Sequence, residues 1–250
     1  TYYQIPSPEE LFAFVKGGQL SYKSTLLNPI ENAEKYVDVK SKELNFGIYT
    51  ADLAYAAAFS RYQESLDNIE TVRELSDEIG ISSVFDESLN SRIRNIFENP
   101  DSLLDITNSS YYKIVNYLEA NEREKTLALI AAGGWIESLY IFSHLVESYD
   151  PNDPTIQRIA DQKLTYENLV NYLEKYKDDP AVLSTLETIK PITIAFSKLE
   201  SVEVRERAPK PEGENVIVVG GSKRIKMTQS QFENLKTALE KVRNTITMNS

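Results

Sequence analysis

Residues Thr126 to Val146 read TLALIAAGGWIESLYIFSHLV, with Glu137 the one formally charged side chain and with the only tryptophan, Trp135, and the only histidine, His144, of the chain. A helix that is apolar on nearly every side has to be surrounded by other elements rather than laid on a surface. Leu44 to Ser60, LNFGIYTADLAYAAAFS, has the same character, again with one acid, Asp52. Two such stretches in one chain imply a central pair of helices on which the rest is layered. The later stretch has the length of a membrane span. A central glutamate is costly in lipid, however, and the Gly133-Gly134 pair weakens an isolated helix, so a buried core helix is the expectation.

Outward from this pair, the chain reads as amphipathic helices separated by breakers. Ser7-Pro8-Glu9-Glu10 is a helix start with a capping residue, a first-turn proline and acids, followed by Leu11, Phe12 and Val15 and stopped by Gly17-Gly18. Residues 19–40 read as a loop with a short helix from Pro29 to Tyr36, and the first central helix is expected over Ser41 to Gln63. Apolar residues at 66, 69, 72, 75 and 79 lie on one face of a helix from Leu66 to Ile79 that Gly80 closes. Further helices are expected over Asp86 to Glu98, Asp101 to Asn121 and Thr155 to Lys177. Another runs from Ala181 to Leu199 with a kink at Pro191. Ile114-Val-Asn-Tyr-Leu-Glu119 recurs as Leu169-Val-Asn-Tyr-Leu-Glu174, each copy leading into a turn and a mostly apolar helix, which suggests a repeated helical hairpin.

The last fifty residues change character. Ser201 to Glu214 alternates charge and holds Pro209, Pro211 and Gly213, as a linker or an irregular surface strand would. Asn215 to Val219 and Ser222 to Met227 flank Gly220-Gly221 and read as a β-hairpin. Thr228 to Gln231 has the pattern of a capping box, and Phe232, Leu235, Leu239, Val242 and Ile246 form a narrow apolar seam that docks on the bundle or on a partner. The fold class is mainly α: a multi-helix bundle of antiparallel hairpins around two apolar central helices, with one small β-hairpin before the C-terminal helix. Residues 1–250 form a single domain, divided into a bundle (1–200), a linker with hairpin (201–227) and the terminal helix (228–250).

At 250 residues and 41% hydrophobic content the chain can bury a substantial core. A net charge of −11 argues against binding nucleic acid, because displacing counterions from phosphates needs clustered Lys and Arg. Cysteine is absent and histidine occurs once, so disulfides, thiolate chemistry and multi-histidine metal sites are excluded, and no cofactor is expected. Gly220-Gly221-Ser222-Lys223 lacks the spacing of a phosphate loop. The Lys223, Arg224 and Lys226 cluster reads as a solvated strand that discourages edge pairing. Ser143 beside His144 lacks any motif that would make it a nucleophile.

The two lone acids are the candidates for a site. A carboxylate on an apolar helix must be paired, hydrogen-bonded, protonated or open to a cleft. If the central helices cross at Gly47, Ala51, Ala54 and Ala58 against Ala132, Gly133 and Ser138, Asp52 and Glu137 face a common space lined by Tyr49, Tyr55, Trp135 and Tyr140. The simpler expectation is that each acid caps a helix or pairs with a base or a tyrosine hydroxyl. The fifteen tyrosines suit sugar or partner surfaces and equally suit helix packing with a wet rim.

Several stretches resemble one family. Pro6-Ser7-Pro8, Leu26 to Asn32 with Lys35-Tyr36, Leu44 to Leu53, Gln231-Phe232, Val242-Arg243 and above all Ala132-Gly-Gly-Trp-Ile-Glu-Ser-Leu-Tyr140 are similar to an uncharacterised group of exported lipoproteins of Bacteroidota. The resemblance implies an all-helical protein of the cell envelope, periplasmic or on the outer membrane, cleaved at a lipid-bearing cysteine outside this sequence. It implies no activity. Thr1-Tyr2-Tyr3, without methionine or an apolar leader, is the start expected of a mature chain. The leading expectation is therefore a non-enzymatic envelope lipoprotein that binds a partner protein or ligand through a helical surface and touches the membrane only through its lipid. The alternatives are a small-molecule receptor or enzyme with a cleft at Asp52 and Glu137, and a cytoplasmic helical adaptor.

Overall fold

The computed structural model describes residues 7, 9–13, 15, 20–95, 102–204 and 222–248. Among these residues the chain is mainly helical: α1 (Glu9–Phe12), α2 (Val39–Ala58), α3 (Tyr62–Glu78), α4 (Glu87–Arg94), α5 (Ser102–Ala120), α6 (Glu124–Leu145), α7 (Pro154–Glu174), α8 (Pro180–Thr188), α9 (Lys190–Ser197) and α10 (Gln229–Met248). A two-stranded antiparallel sheet, β1 (Glu200–Val204) and β2 (Ser222–Lys226), precedes α10. The expected stops at Gly17-Gly18 and Asn99-Pro100, the linker over 205–214, the run 215–219 and the Gly220-Gly221 turn lie outside the described residues.

α2 and α6 are the predicted central pair. Phe46, Ile48, Tyr49 and Ala51 on α2 and Leu127, Leu139, Ile141 and Phe142 on α6 have no accessible surface. α6 is long and apolar enough to cross a membrane, but its apolar window is wholly enclosed by the rest of the chain. Glycine sets the spacing of the pair. A Cβ on Gly47 would fall 2.0 Å from the Ile130 carbonyl oxygen and 2.7 Å from the Gly134 nitrogen, and one on Gly133 would fall 1.9 Å from the Leu44 carbonyl oxygen. The two backbones therefore touch directly. Thr126 donates to Glu43 near one end of the pair, and Lys23 bonds Tyr55 and the His144 carbonyl near the other, so the helices run parallel.

The boundaries differ from the sequence reading where the stop signal is not a glycine. α2 ends at Ala58 instead of Gln63, because Ser60 takes a left-handed conformation (φ 54°) and the Arg61 amide bonds back to Ala56. α3 then starts at Tyr62, four residues before the expected Leu66. The same reverse-bonded end recurs at Gly80 (φ 72°) and Glu122 (φ 55°), with Ile81 bonding Ser76 and Arg123 bonding Leu118. Arg123 also donates to the carbonyls of Ile79 and Gly80 at 2.8 and 3.1 Å, tying two turns together. Pro191 does more than kink a helix: α8 and α9 are separate, with Pro191 in the first turn of α9, where its missing amide costs no hydrogen bond. The Ser7 hydroxyl has no hydrogen-bond partner, so it does not cap α1 as expected.

Two further readings are sharpened. Ser222–Lys226 is a strand and pairs with Glu200–Val204, in the register Glu200↔Lys226 to Val204↔Ser222, while its expected partner, 215–219, lies outside the described residues. The repeated hexapeptides share a burial pattern, Ile114 and Leu118 matching Leu169 and Leu173 inside, Asn116 and Glu119 matching Asn171 and Glu174 outside. The likeness stops there, since α6 follows one copy with 22 residues and α8 the other with 9.

α10 begins with the predicted capping box: the Thr228 amide donates to Gln231 Oε1 at 2.8 Å, and the Gln231 amide donates to Thr228 Oγ1 at 3.3 Å. Its seam, Phe232, Leu235, Leu239, Val242 and Ile246, is buried within the main apolar cluster. Each such side chain contributes about 1.5–3 kcal/mol relative to exposure. That is what holds α10 on α6 and α9.

Candidate functional site

Asp52 and Glu137, the lone acids of the two central helices, have no accessible surface. The parallel register brings them into one buried region, where the Glu137 carboxyl acts electrostatically on Asp52. Arg243 of α10 completes the cluster. Its guanidinium grips Glu137 in two places, Nε to Oε2 and Nη2 to Oε1, both at 3.0 Å, and Nη2 also donates to the Leu26 carbonyl at 3.2 Å. Its central carbon sits 4.8 Å from the Tyr140 ring centroid, a stacked cation that reinforces the pair.

Asp52 is held differently. Its Oδ2 accepts the Asn28 backbone amide at 3.0 Å, while Oδ1 is buried without a donor. Burial, with the Glu137 carboxyl beside it, pushes its pKa well above the usual carboxylate range; Arg243 and the Asn28 amide oppose the shift without cancelling it. The Arg243 pKa is raised, because Glu137 and Asp52 more than offset the desolvation that disfavours its charge.

The polypeptide from Lys23 to Tyr36 straps this cluster. Tyr49 donates to the Pro29 carbonyl at 2.8 Å, and the Tyr55 hydroxyl accepts the Lys23 amide at 2.8 Å. Tyr36 accepts from Asn28 Nδ2 at 3.0 Å and donates to the Thr247 carbonyl at 3.1 Å, while Asn45 donates to the Ile246 carbonyl at 3.2 Å. Burial raises the pKa of Tyr36, Tyr49 and Tyr140, and that of Tyr55 to about 12, so these hydroxyls act as hydrogen-bond groups and not as bases.

Of the six residues singled out from the sequence, Tyr49, Asp52, Tyr55, Glu137 and Tyr140 belong to this cluster. Trp135 does not. It points toward α7, where Nε1 donates to Gln162 Oε1 at 3.0 Å and the ring lies 4.9 Å from that of Tyr166. The sequence reading missed Arg243 and Asn28. Arg243 carried a signal, a cation four residues after Leu239 on an otherwise apolar seam.

The chemistry this arrangement allows is limited. Glu137 is paired with a buried base, as the simpler expectation had it, whereas Asp52 is held through one oxygen by a backbone amide and neither caps a helix nor meets a base directly. His144 Nδ1 bonds the Tyr140 carbonyl at 2.7 Å, and Ser143 Oγ donates to the same carbonyl at 2.9 Å while lying 3.4 Å from Nδ1; among the described residues no acid is hydrogen-bonded to the imidazole, so no Ser-His-acid relay forms there. Burial lowers the His144 pKa. No group of acids and histidines among the described residues is arranged to hold a metal ion.

Open space lies elsewhere. A groove of about 780 Å³ runs between the Tyr149–Pro151 loop, Ile156 and Gln157 of α7, and the β2 residues Arg224 and Lys226, with Met227 at its floor. The Tyr149 hydroxyl bonds the Met227 carbonyl at 2.5 Å, and Gln157 bridges the Ile225 carbonyl at 3.1 Å and the Arg224 guanidinium. Comparison of the chain with protein-family models, curated proteins and solved structures gives no match.

Proposed function

We propose that this chain is a non-catalytic binding domain of the cell envelope, attached to a membrane by a lipid outside the present sequence. It engages a protein or ligand at its helical surface. The observation that carries the non-catalytic reading is the double locking of Asp52 and Glu137 at zero exposure. A general acid or base must reach its substrate within hydrogen-bond distance, and here the Lys23–Tyr36 strap and α10 occupy that space.

The binding reading is supported by the groove. It pairs an apolar floor with two cations, Arg224 and Lys226, in a chain of net charge −11. That contrast suits an occupant with an apolar anchor and carboxylates, such as an acidic peptide segment. Envelope location rests on the resemblance of the segment around Gly133-Gly134-Trp135-Ile136-Glu137 to exported lipoproteins.

The second reading, a receptor or enzyme centred on Asp52, draws on the unpartnered Oδ1 and requires a ligand to part the strap. Selection from a random peptide library separates the two. Acidic peptides with an apolar anchor should be enriched by the native chain and by Tyr49→Phe, but not by the double variant Arg224→Glu/Lys226→Glu. Enrichment unchanged by the charge reversal removes the groove, and enrichment lost with Tyr49→Phe favours the second reading. Labelling the native gene product with a tagged fatty acid tests the anchor; an unlabelled product favours a cytoplasmic adaptor.

A further inference from the structure

We infer that the interior of this domain stores one exchangeable proton between Asp52 and Glu137, and that this proton helps keep the C-terminal half of α10 docked. The argument is a count of charges and donors. Two carboxyl groups with no accessible surface face one guanidinium, whose donors are used on both oxygens of Glu137 and on the Leu26 carbonyl. Asp52 has one backbone donor on Oδ2 and none on Oδ1.

The other titratable groups that bear on the cluster do not balance a second negative charge. They are Tyr49 and Tyr55 on α2, Tyr140 on α6 with His144, whose charge burial disfavours, Glu240 on α10, Tyr36 on the strap and Tyr22 just before it. All are neutral or acidic. Arg243 is the cation that opposes the shift at Asp52, and its donors are already engaged. A proton on Oδ1 resolves the deficit: it turns the orphaned acceptor into a donor toward Glu137, leaving one negative and one positive charge.

The consequence falls on one part of the fold. Arg243 to Glu137 and Leu26, Tyr36 to Thr247 and Asn45 to Ile246 all join the last two turns of α10 to the central helices and the strap. The first turns are held separately by Phe232, Leu235 and the capping box. Because the folded pKa of Asp52 lies above its unfolded value, this stabilisation is complete at low pH and is lost as pH rises through the folded value.

Hydrogen exchange and infrared spectroscopy test this. The infrared spectrum of the native protein at neutral pH should carry the carbonyl stretch of one protonated carboxylic acid, absent in Asp52→Asn. As pH rises from the unfolded pKa of an aspartate to the raised folded value, protection of amides 240–248 should fall about tenfold per pH unit, the slope of one proton, and level off above it, after correction for intrinsic exchange. Amides 232–236 should not follow this slope. In Asp52→Asn, which keeps an acceptor for Asn28 and places an amide donor toward Glu137, the slope should vanish. Equal slopes in both proteins overturn the inference. So does a native spectrum without the protonated-acid band, which decides the matter even if Asp52→Asn fails to fold.

Discussion

Gly47→Ala tests the backbone contact at the centre of the bundle. The added Cβ would sit 2.0 Å from the Ile130 carbonyl oxygen. A relaxed carbon-to-oxygen contact is about 3.3 Å or longer, so the helices would have to part by roughly 1.3 Å. A gap of that size removes about half or more of the dispersion energy of each atom pair it opens, along two helices that bury nearly every residue. Overpacking alone costs about 1–3 kcal/mol, occasionally more, and the better helix propensity of alanine returns about 1 kcal/mol. At the upper end of that range, where so short a contact belongs, the net expectation is a loss of about 2 kcal/mol, or about 4–8 °C in Tm for a domain of this size. Gly133→Ala, aimed at the Leu44 carbonyl, should cost a similar amount. The double variant should cost clearly less than the sum, since one separation relieves both clashes. Thermal unfolding followed by circular dichroism measures all three. A Gly47→Ala protein melting within about 2 °C of the parent would refute the direct backbone contact.

Arg243→Met strands both buried acids without a cation and should lower stability by about 3–5 kcal/mol; adding Glu137→Gln should recover part of it, read from urea midpoints. Thr228→Ala removes one half of the α10 capping box and should cost about 1 kcal/mol by the same measurement. Ser60→Gly relieves a left-handed backbone at the end of α2 and should raise Tm by a few degrees, since a side chain in that region costs roughly 1–2 kcal/mol. A lowered Tm would mean that Ser60 is held by contacts beyond its own backbone.

What could be read from the chain was set by how each signal is written. α6 and α2 announced themselves because enclosure on every side leaves no polar stripe, and their glycines marked where backbones meet. The proximity of Asp52 and Glu137 followed from the same pairing. Trp135 was misplaced for an avoidable reason: two residues from Glu137 on a helix is about 200° of rotation, the opposite side. Arg243 was not taken for a site residue because one cation on an amphipathic helix ordinarily faces water. The end of α2 was hidden because its left-handed residue is a serine. The β1 strand, Glu-Ser-Val-Glu-Val, is too charged to separate from a linker by composition.

The parallel course of α2 and α6 has a cost during synthesis. Helices that run the same way cannot meet through a short turn, so the chain must travel back along the bundle before α6 can begin at Glu124. Until then a nascent chain already holds all of α2 with its principal cover still missing, for several seconds at about 5–20 residues per second. A domain built this way relies on whatever shields an apolar helix on the ribosome, and it is poorly suited to being cut into independently folding halves.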